Sequence, residues 1–145
     1  MTTNISKGRL WTARIMSGII ILFMLFDSIM KLIKPAPVVE GTVTLGYAEH
    51  HIVVIGILGL LSTILYAVPR TSFLGALLLT GYFGGVVATH VRMDNPLFTH
   101  ILFPVYLAVL TWGGVWLRDE NVRRLIPFQN NRLDRRENSE QSIVK

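Results

Sequence analysis

Four long apolar blocks dominate the chain, at residues 11–30, 52–68, 73–91 and 96–117. An α-helix rises about 1.5 Å per residue, so the hydrocarbon core of a bilayer, about 30 Å thick, requires about 17 to 25 residues. Each block lies near or within that range. The pattern therefore predicts an all-α membrane protein, a bundle of four transmembrane helices, with no extended soluble domain.

The connection between the first two apolar blocks has the pattern of a short helix. Pro37 suits the first turn of a helix, and Gly46 after Leu45 can adopt the left-handed conformation that ends one. We therefore expect a surface helix over 37–45 on the outward side of the membrane. The later connections are short, so the second, third and fourth apolar helices are expected to be antiparallel neighbours.

Glycines on the apolar helices predict close packing within the bundle. Small residues let the backbones of membrane helices approach each other, and GxxxG spacing is a typical contact. The glycines expected to pack in this way are Gly56, Gly59, Gly81, Gly85, Gly113 and Gly114.

Residues 1–127 are predicted to form one transmembrane domain. No small-residue cleavage pattern follows the first apolar block, so we expect it to be retained and not removed as a signal peptide. A short amphipathic helix is expected over 119–126, stopped by Pro127. The last residues, 128–145, are polar and mixed in charge, and they predict a disordered cytoplasmic tail.

The basic residues divide unevenly between the two sides of such a bundle. Of the 14 Lys and Arg residues, only Lys31, Lys34 and Arg92 belong to the outward side. The positive-inside rule then predicts that both termini are cytoplasmic. Because the basic residues flank membrane segments and form no stripe with aromatic residues, the net charge of +5 does not predict nucleic-acid binding.

Asp27 is the acidic residue whose placement in the membrane is expected to cost the most free energy. It follows an uncharged run over 15–26, and Lys31 lies four positions later on the same helical face. An ionised Asp at the bilayer centre costs about 2.5 to 3.5 kcal/mol, which the surrounding Leu, Ile and Phe residues offset. An intramembrane ionisable residue is a functional candidate. The alternative is a structural ion pair at the outer headgroup boundary, and both interpretations stay open.

Ionisable side chains collect at the outward ends of the helices, where a small bundle brings them together, and they predict an outward-facing polar vestibule. The candidate ligand-binding residues are Asp27, Lys31, Glu40, His90 and Arg92. The candidate supporting residues are Thr80, Tyr82 and His100. For the hydroxyls of Thr80 and Tyr82, hydrogen bonding between helices is the competing interpretation.

The residue types predict no metal site and no resident cofactor. His50 and His51 are adjacent and point about 100° apart on a helix, and the histidine spacing matches no familiar ligand motif. The chain has no cysteine, which excludes thiol exchange by this chain alone. No paired axial ligand for haem is evident within the apolar blocks.

Several segments are similar to the DoxX-like family of small four-helix membrane proteins. They are 35–41 (PAPVVEG), 45–47 (LGY), 69–72 (PRTS) and above all 78–92 (LLTGYFGGVVATHVR). The resemblance covers about residues 29–127. It implies a protein of the bacterial cytoplasmic (inner) membrane with redox or oxidative-stress partners. Quinone is the one cofactor it implies, because the family takes its name from a subunit of a thiosulfate and quinone oxidoreductase. No catalytic residue is carried over.

Three functions stay open. The leading hypothesis is a membrane subunit or binding module whose vestibule takes a small or lipid-soluble ligand, or docks a membrane partner. The second is a membrane subunit of a quinone-linked oxidoreductase, and the chain is not expected to be an enzyme on its own. The third is a small ion-coupled transporter, with Asp27 and Lys31 as a relay. Four crossings are few for alternating access, so transport would require a homodimer.

Overall fold

The structure, a computed structural model, describes residues 7–125 as helices joined by short connections, with no strands. The helices are α1 (Lys7–Ile33), α2 (Ala36–Thr44), α3 (His51–Ala67), α4 (Ser72–Arg92), α5 (Leu102–Arg118) and α6 (Glu120–Leu125). A π-helical turn, Leu97–Ile101, leads directly into α5. The predicted tail over 128–145 lies outside the described residues.

Three helical segments are long and apolar enough to cross a membrane. They are α1, α4 and the continuous segment Leu97–Arg118. The apolar helix α3 is shorter, with 17 residues. Large apolar side chains point away from the bundle on all of these helices: Phe26 is 64% exposed, Leu61 51% and Val109 64%. Such continuous apolar exposure suits a lipid environment, because soluble proteins rarely show it.

The four long helices pack as the corners of a bundle. The helix α1 contacts α3 and α5, and α4 contacts the same two helices, so α1 and α4 lie at opposite corners. The neighbours expected from the short connections, α3 with α4 and α4 with α5, pack against each other. We call the end of the bundle that carries α2 the α2 end, and the opposite end the α6 end.

A buried tyrosine ties three helices together toward the α6 end of the bundle. Tyr66 is fully buried there, and its hydroxyl donates to the Thr111 carbonyl at 3.0 Å. The Ser17 hydroxyl lies 3.2 Å from the same phenol oxygen. Arg118 donates to the Tyr66 carbonyl at 2.9 Å and stacks over its ring. One tyrosine thus joins α1, α3 and α5.

The predicted glycine packing holds for α3 and α5 but is wrong for α4. A side chain at Gly56 or Gly59 would meet α1, and one at Gly114 would meet Ser17 and Tyr66. In α4, by contrast, a Cβ at Gly81 or Gly85 would meet nothing within 4 Å. Their spacing is that of a helix contact, but no helix of the described chain packs on this face.

The short helix α2 matches the surface helix expected over 37–45. It ends where Gly46 adopts a φ of +85°, the left-handed conformation that glycine accepts without steric cost. The Gly46 and Tyr47 N–H groups return to the Val43 and Thr42 carbonyls. Arg92 of α4 donates to the Leu45 carbonyl at 2.8 Å, which fixes α2 across the top of the bundle.

Candidate functional site

A cavity of about 410 Å³ lies in the α2 end of the bundle. All four long helices form its walls, and α2 with the loop after it forms its roof. Its polar lining residues are Asp27, Lys31, Thr42, Tyr47, Tyr82, Thr89 and His90. The rest of the lining consists of Phe23, Met24, Leu45, Ile55, Leu58, Gly81, Phe83, Gly85, Val86, Phe103, Pro104 and Leu107. The volume and the apolar lining are typical of small-molecule sites.

The Asp27 carboxylate is the centre of a three-residue polar cluster in this cavity. Lys31, one turn later in α1, forms an ion pair with one carboxylate oxygen. Tyr82, from the middle of α4, donates its hydroxyl to the other oxygen at 3.0 Å. Because α1 and α4 occupy opposite corners, this second bond crosses the bundle. Asp27 and Lys31 are 28% and 17% exposed, so the pair lies largely inside the protein.

Two glycines of α3 make room for this cluster. A Cβ at Gly59 would lie 3.4 Å from the Tyr82 ring and closer still to the Ser28 hydroxyl. A Cβ at Gly56 would lie 3.0 Å from the Cβ of Lys31. The glycine pair thus lets α3 approach both α1 and the tyrosine that reaches across to Asp27.

A second hydrogen-bonded pair closes the roof of the cavity. The Thr89 hydroxyl donates to the Gly85 carbonyl at 2.9 Å, so its oxygen accepts the Tyr47 hydroxyl proton at 2.6 Å. Tyr47 belongs to the loop after α2, and this bond holds that loop against α4. No periodic pattern marks either residue in the sequence, although both fall within segments that carry the family resemblance.

His90 lines the cavity next to the roof. Its Nδ1 lies 2.9 Å from the amide nitrogen of Asn95. An amide nitrogen only donates, so Nδ1 is the acceptor and the neutral ring carries its proton on Nε2. The His100 ring lies 5.4 Å from the His90 ring, in an edge contact.

The family model of the DoxX-like family matches residues 15–114, more than two thirds of the chain. The chain belongs to the DoxX-like family. This is a family of small membrane proteins, and together with the long apolar helices it makes the chain a multi-pass integral membrane protein. No curated protein and no solved structure matches the chain. The matched range includes every residue that lines the cavity.

Four residues from the predicted vestibule of this DoxX-like protein do come together. Asp27, Lys31, Tyr82 and His90 all line the cavity. The prediction of Asp27 and Lys31 as partners rests on their spacing along one helix. The hydrogen bond from Tyr82 to Asp27 depends instead on how α1 and α4 are aligned with each other. The spacing of residues along either helix alone does not predict that alignment.

The structure does not bring the other four predicted residues into the cavity lining. Glu40 is exposed on α2, and the Arg92 guanidinium is bound to the Leu45 carbonyl. Thr80 accepts a hydrogen bond from the Trp112 indole at 2.8 Å, the interhelical bond that was the competing interpretation. His100 is exposed, and its Nδ1 lies 2.8 Å from the hydroxyl of Thr99.

The electrostatic balance of the cavity is close to neutral. Asp27 and Lys31 carry opposite charges and are paired, and neutral His90 adds none. Across residues 7–125, no three His, Asp or Glu side chains are arranged so that they could hold a metal ion. The arrangement is therefore suited to hydrogen bonding and apolar contact.

Proposed function

We propose that this DoxX-like protein crosses the membrane four times and binds a lipid-soluble molecule in its α2-end cavity. One observation carries the proposal: the paired carboxylate of Asp27 receives a hydrogen bond from Tyr82 inside a mostly apolar cavity of about 410 Å³. Ligand sites combine this kind of apolar wall with a few well-placed polar groups.

The position of α3 supports the fourth crossing. The helix begins near the α2 end, where Lys34 at the end of α1 donates to Glu49 at 2.8 Å. Its last turn reaches the α6 end, where Tyr66 contacts Ser17 in the first half of α1. A helix that connects both ends of a bundle of membrane-spanning helices crosses the membrane with them, and the 17 residues of this mostly apolar helix are at the lower end of the required length.

The distribution of basic residues supports the orientation. The α6 end carries Arg9, Arg14, Arg70, Arg118 and Arg123, whereas the α2 end carries Lys31, Lys34 and Arg92. By the positive-inside rule the α6 end and both termini are cytoplasmic, and the cavity lies in the outward half of the bundle. The proposed location is the bacterial cytoplasmic membrane.

The chemistry of the walls supports a ligand that reaches the site through lipid. Phenylalanine, leucine, isoleucine and valine side chains form most of the apolar part of the lining. Quinones belong to this class of ligand, and for them the support is the family resemblance alone. The screen below therefore includes quinone analogues together with other lipid-soluble compounds, haem and divalent metals.

The proposal is tested by ligand-dependent thermal stability. The full chain is purified into lipid nanodiscs and unfolded by heat with each compound of the screen. A compound that binds only the folded state raises its stability, by about 2.7 kcal/mol at a concentration a hundred times the Kd. We expect at least one lipid-soluble compound to raise the Tm of the natural protein. We expect Asp27→Asn and Tyr82→Phe to lose most of that increase.

Two variants outside the cavity control for general effects. Glu40→Gln removes an exposed carboxylate from α2, and Tyr106→Phe removes an exposed phenol hydroxyl from α5. Both are expected to keep the full ligand-dependent increase. The proposal is wrong if no lipid-soluble compound raises the Tm, or if the cavity variants respond like the natural protein.

A further inference from the structure

The two sides of the cavity differ: aromatic side chains close the side between α1 and α5, whereas glycines, which have no side chain, border the side at α4. Between α1 and α5, the rings of Phe23 and Phe103 meet edge to face with centroids 5.6 Å apart. On the α4 flank, Gly81 and Gly85 line the cavity and are also exposed at the surface of the bundle. The two flanks therefore differ in what separates the interior from lipid.

The open flank lies between α3 and α4. Tyr82 faces Gly59 of α3, and on a helix with about 100° per residue Gly81 and Gly85 lie to one side of that contact. Leu58, on the neighbouring edge of α3, also lines the cavity and is 54% exposed. A Cβ at either glycine would meet nothing within 4 Å. The glycines therefore leave free space that connects the cavity with the lipid-facing surface.

Two side chains of the cavity, Lys31 and His90, keep N–H donors that no other described residue uses. Both carboxylate oxygens of Asp27 are already bound, one by Lys31 and one by Tyr82. Among the described residues, Asp27 is the only hydrogen-bond partner of the Lys31 ammonium, which has three N–H groups. His90 accepts through Nδ1 and so presents its proton at Nε2. A ligand head that accepts hydrogen bonds is complementary to this set.

The balance of charges in the cavity favours a ligand whose head group is uncharged. Asp27 and Lys31 neutralise each other, so an anionic or cationic head would introduce an uncompensated charge into a cavity with mostly apolar walls. Burial of an unpaired charge in such surroundings is strongly unfavourable. An uncharged oxygen acceptor, such as a ketone or ester carbonyl, adds no charge and matches the free donors.

We infer that lipophiles with an uncharged oxygen-acceptor head enter this cavity sideways from the bilayer, between α3 and α4 past Gly81 and Gly85, and bind to the free donors of Lys31 and His90. The inference rests on the proposed function, because it names the class of ligand and the route to the same cavity. Apolar chains of the ligand would remain in the glycine-lined opening.

The class of ligand is tested with four probes that share a twelve-carbon chain. They are dodecyl methyl ketone, dodecanoate, dodecylamine and dodecane, titrated into the full chain in nanodiscs, with affinities taken from the thermal stability at each concentration. We expect the ketone to bind at least about tenfold more tightly than each of the other three. Equal or tighter binding of a charged probe, or no binding of the ketone, would overturn the inference.

The route is tested with a matched set of glycine variants. Gly81→Leu and Gly85→Leu fill the opening and are expected to weaken ketone binding by about tenfold or more. The control is Gly84→Leu, on the same helix, because Gly84 is exposed and has equally free space but does not line the cavity. The control is expected to bind the ketone like the natural protein. Unchanged affinity in Gly81→Leu and Gly85→Leu would overturn the route.

A double variant tests the role of the Lys31 donor without leaving the Asp27 carboxylate unpaired. Asp27→Leu with Lys31→Met removes both members of the ion pair, and replacement of buried ion pairs by apolar residues is often neutral or stabilising. We expect this variant to lose most of the preference for the ketone over dodecane, because only the His90 donor then remains. Retained preference for the ketone would contradict the role of Lys31.

Three further outcomes separate the inference from the alternatives. If the wider screen finds a lipid-soluble ligand but the ketone does not bind, the proposed function stands and this inference fails. If no compound of either set binds, both fail. If Gly81→Leu and Gly85→Leu change the oligomeric state in native mass spectrometry and leave ketone affinity intact, the glycine face is a contact with a second copy and the inference is wrong.

Discussion

Each end of the bundle contains a tyrosine that reaches between helices and a basic residue beside it. At the α6 end, Tyr66 is buried beneath the half-buried Arg118, and glycines such as Gly114 bring the backbones against the phenol. At the α2 end, Tyr82 and Lys31 bind one carboxylate beside a cavity of about 410 Å³. Similar side chains are thus used once in a packed core and once at an open site.

Along α4, the two ends differ in what faces the glycines. Gly75 meets the Tyr66 backbone and closes space at the α6 end, whereas Gly81 and Gly85 meet nothing within 4 Å and leave space open. A polar group in the closed end has protein partners only. One in the open end can exchange partners with a bound molecule, and so the polar residues of the α2 end are the functional candidates.

The largest effect is expected at Gly75, which faces the Tyr66 backbone at the α6 end. A Cβ at this position would overlap the backbone of α3, which cannot move aside as a flexible side chain can. We expect Gly75→Ala to lower the free energy of unfolding by about 3 kcal/mol. The measurement is reversible unfolding of the purified protein in mixed micelles.

The matched control for Gly75 is a glycine of the same helix in the open end. Gly81→Ala places its methyl group in free space, and alanine favours helix over glycine by about 0.8 to 1.0 kcal/mol. We expect this variant to be as stable as the natural protein or more stable. Equal losses at both positions would contradict the contrast between a packed end and an open end.

The two tyrosines give a second test, with smaller effects. Tyr66→Phe removes the donor to the Thr111 carbonyl and leaves the Ser17 hydroxyl without its acceptor in a fully buried place. We expect a loss of stability of about 1 to 2 kcal/mol. Tyr82→Phe removes one bond to Asp27 in a cavity that solvent or ligand can enter, and we expect less than half that loss.

For ligand binding, the order of the two variants should be reversed: Tyr82→Phe should have the larger effect and Tyr66→Phe the smaller one. Tyr82→Phe is expected to lose ligand-dependent stabilisation, whereas Tyr66→Phe is expected to keep it despite its lower starting Tm. Thermal unfolding with and without ligand measures both quantities in one experiment. A Tyr66→Phe variant with weakened ligand binding would indicate that the two ends are coupled.

Much of the helical architecture could be predicted from hydropathy. The blocks at 11–30, 52–68, 73–91 and 96–117 each contain a helix, because an apolar segment in lipid must satisfy its backbone hydrogen bonds internally. The π-helical turn Leu97–Ile101 was not predicted, since its bonds from Ile101 to Pro96 and from Leu102 to Leu97 depend on local geometry and not on hydropathy. The division of the chain at residue 127 stays a prediction.

The candidate site could be predicted only where one helix determines it. The spacing of Asp27 and Lys31 places them on one face, and they do form an ion pair. The position of Glu40 depends instead on the rotation of α2 over the bundle, and the partner of Arg92 depends on where the end of α2 lies. Helical periodicity specifies neither. Tyr47 lies in a loop and was missed, because loop positions carry no periodic signal.

A smaller stability effect is expected at Ser28, beside the site. Its side chain is fully buried, and its hydroxyl has no hydrogen-bond partner among the described residues. An unsatisfied buried hydroxyl costs about 1 kcal/mol or more, so Ser28→Ala is expected to be neutral or to raise the free energy of unfolding by up to about that amount. Unfolding in mixed micelles measures it. A clear loss of stability would indicate that the hydroxyl has a partner in the membrane.

The smallest effect is expected from the exposed ion pair at the α2 end, between Lys34 and Glu49. The hydrogen bond and the charge of Lys34 lower the pKa of Glu49 from its ordinary value of 4.5. A lowered folded-state pKa means that the pair contributes stability above pH 4.5 and loses that contribution as the pH falls through the lower, folded-state pKa.

Because the pair is exposed, salt screens it, and its contribution should decrease at high ionic strength. The test is the Tm as a function of pH for the natural protein and for Glu49→Gln, which cannot titrate at this position. We expect the two curves to converge below the pKa of Glu49 and to separate slightly above pH 4.5. A separation that is larger in acid than at neutral pH would contradict the pairing, because it would require the folded state to bind the proton more tightly than the unfolded chain does.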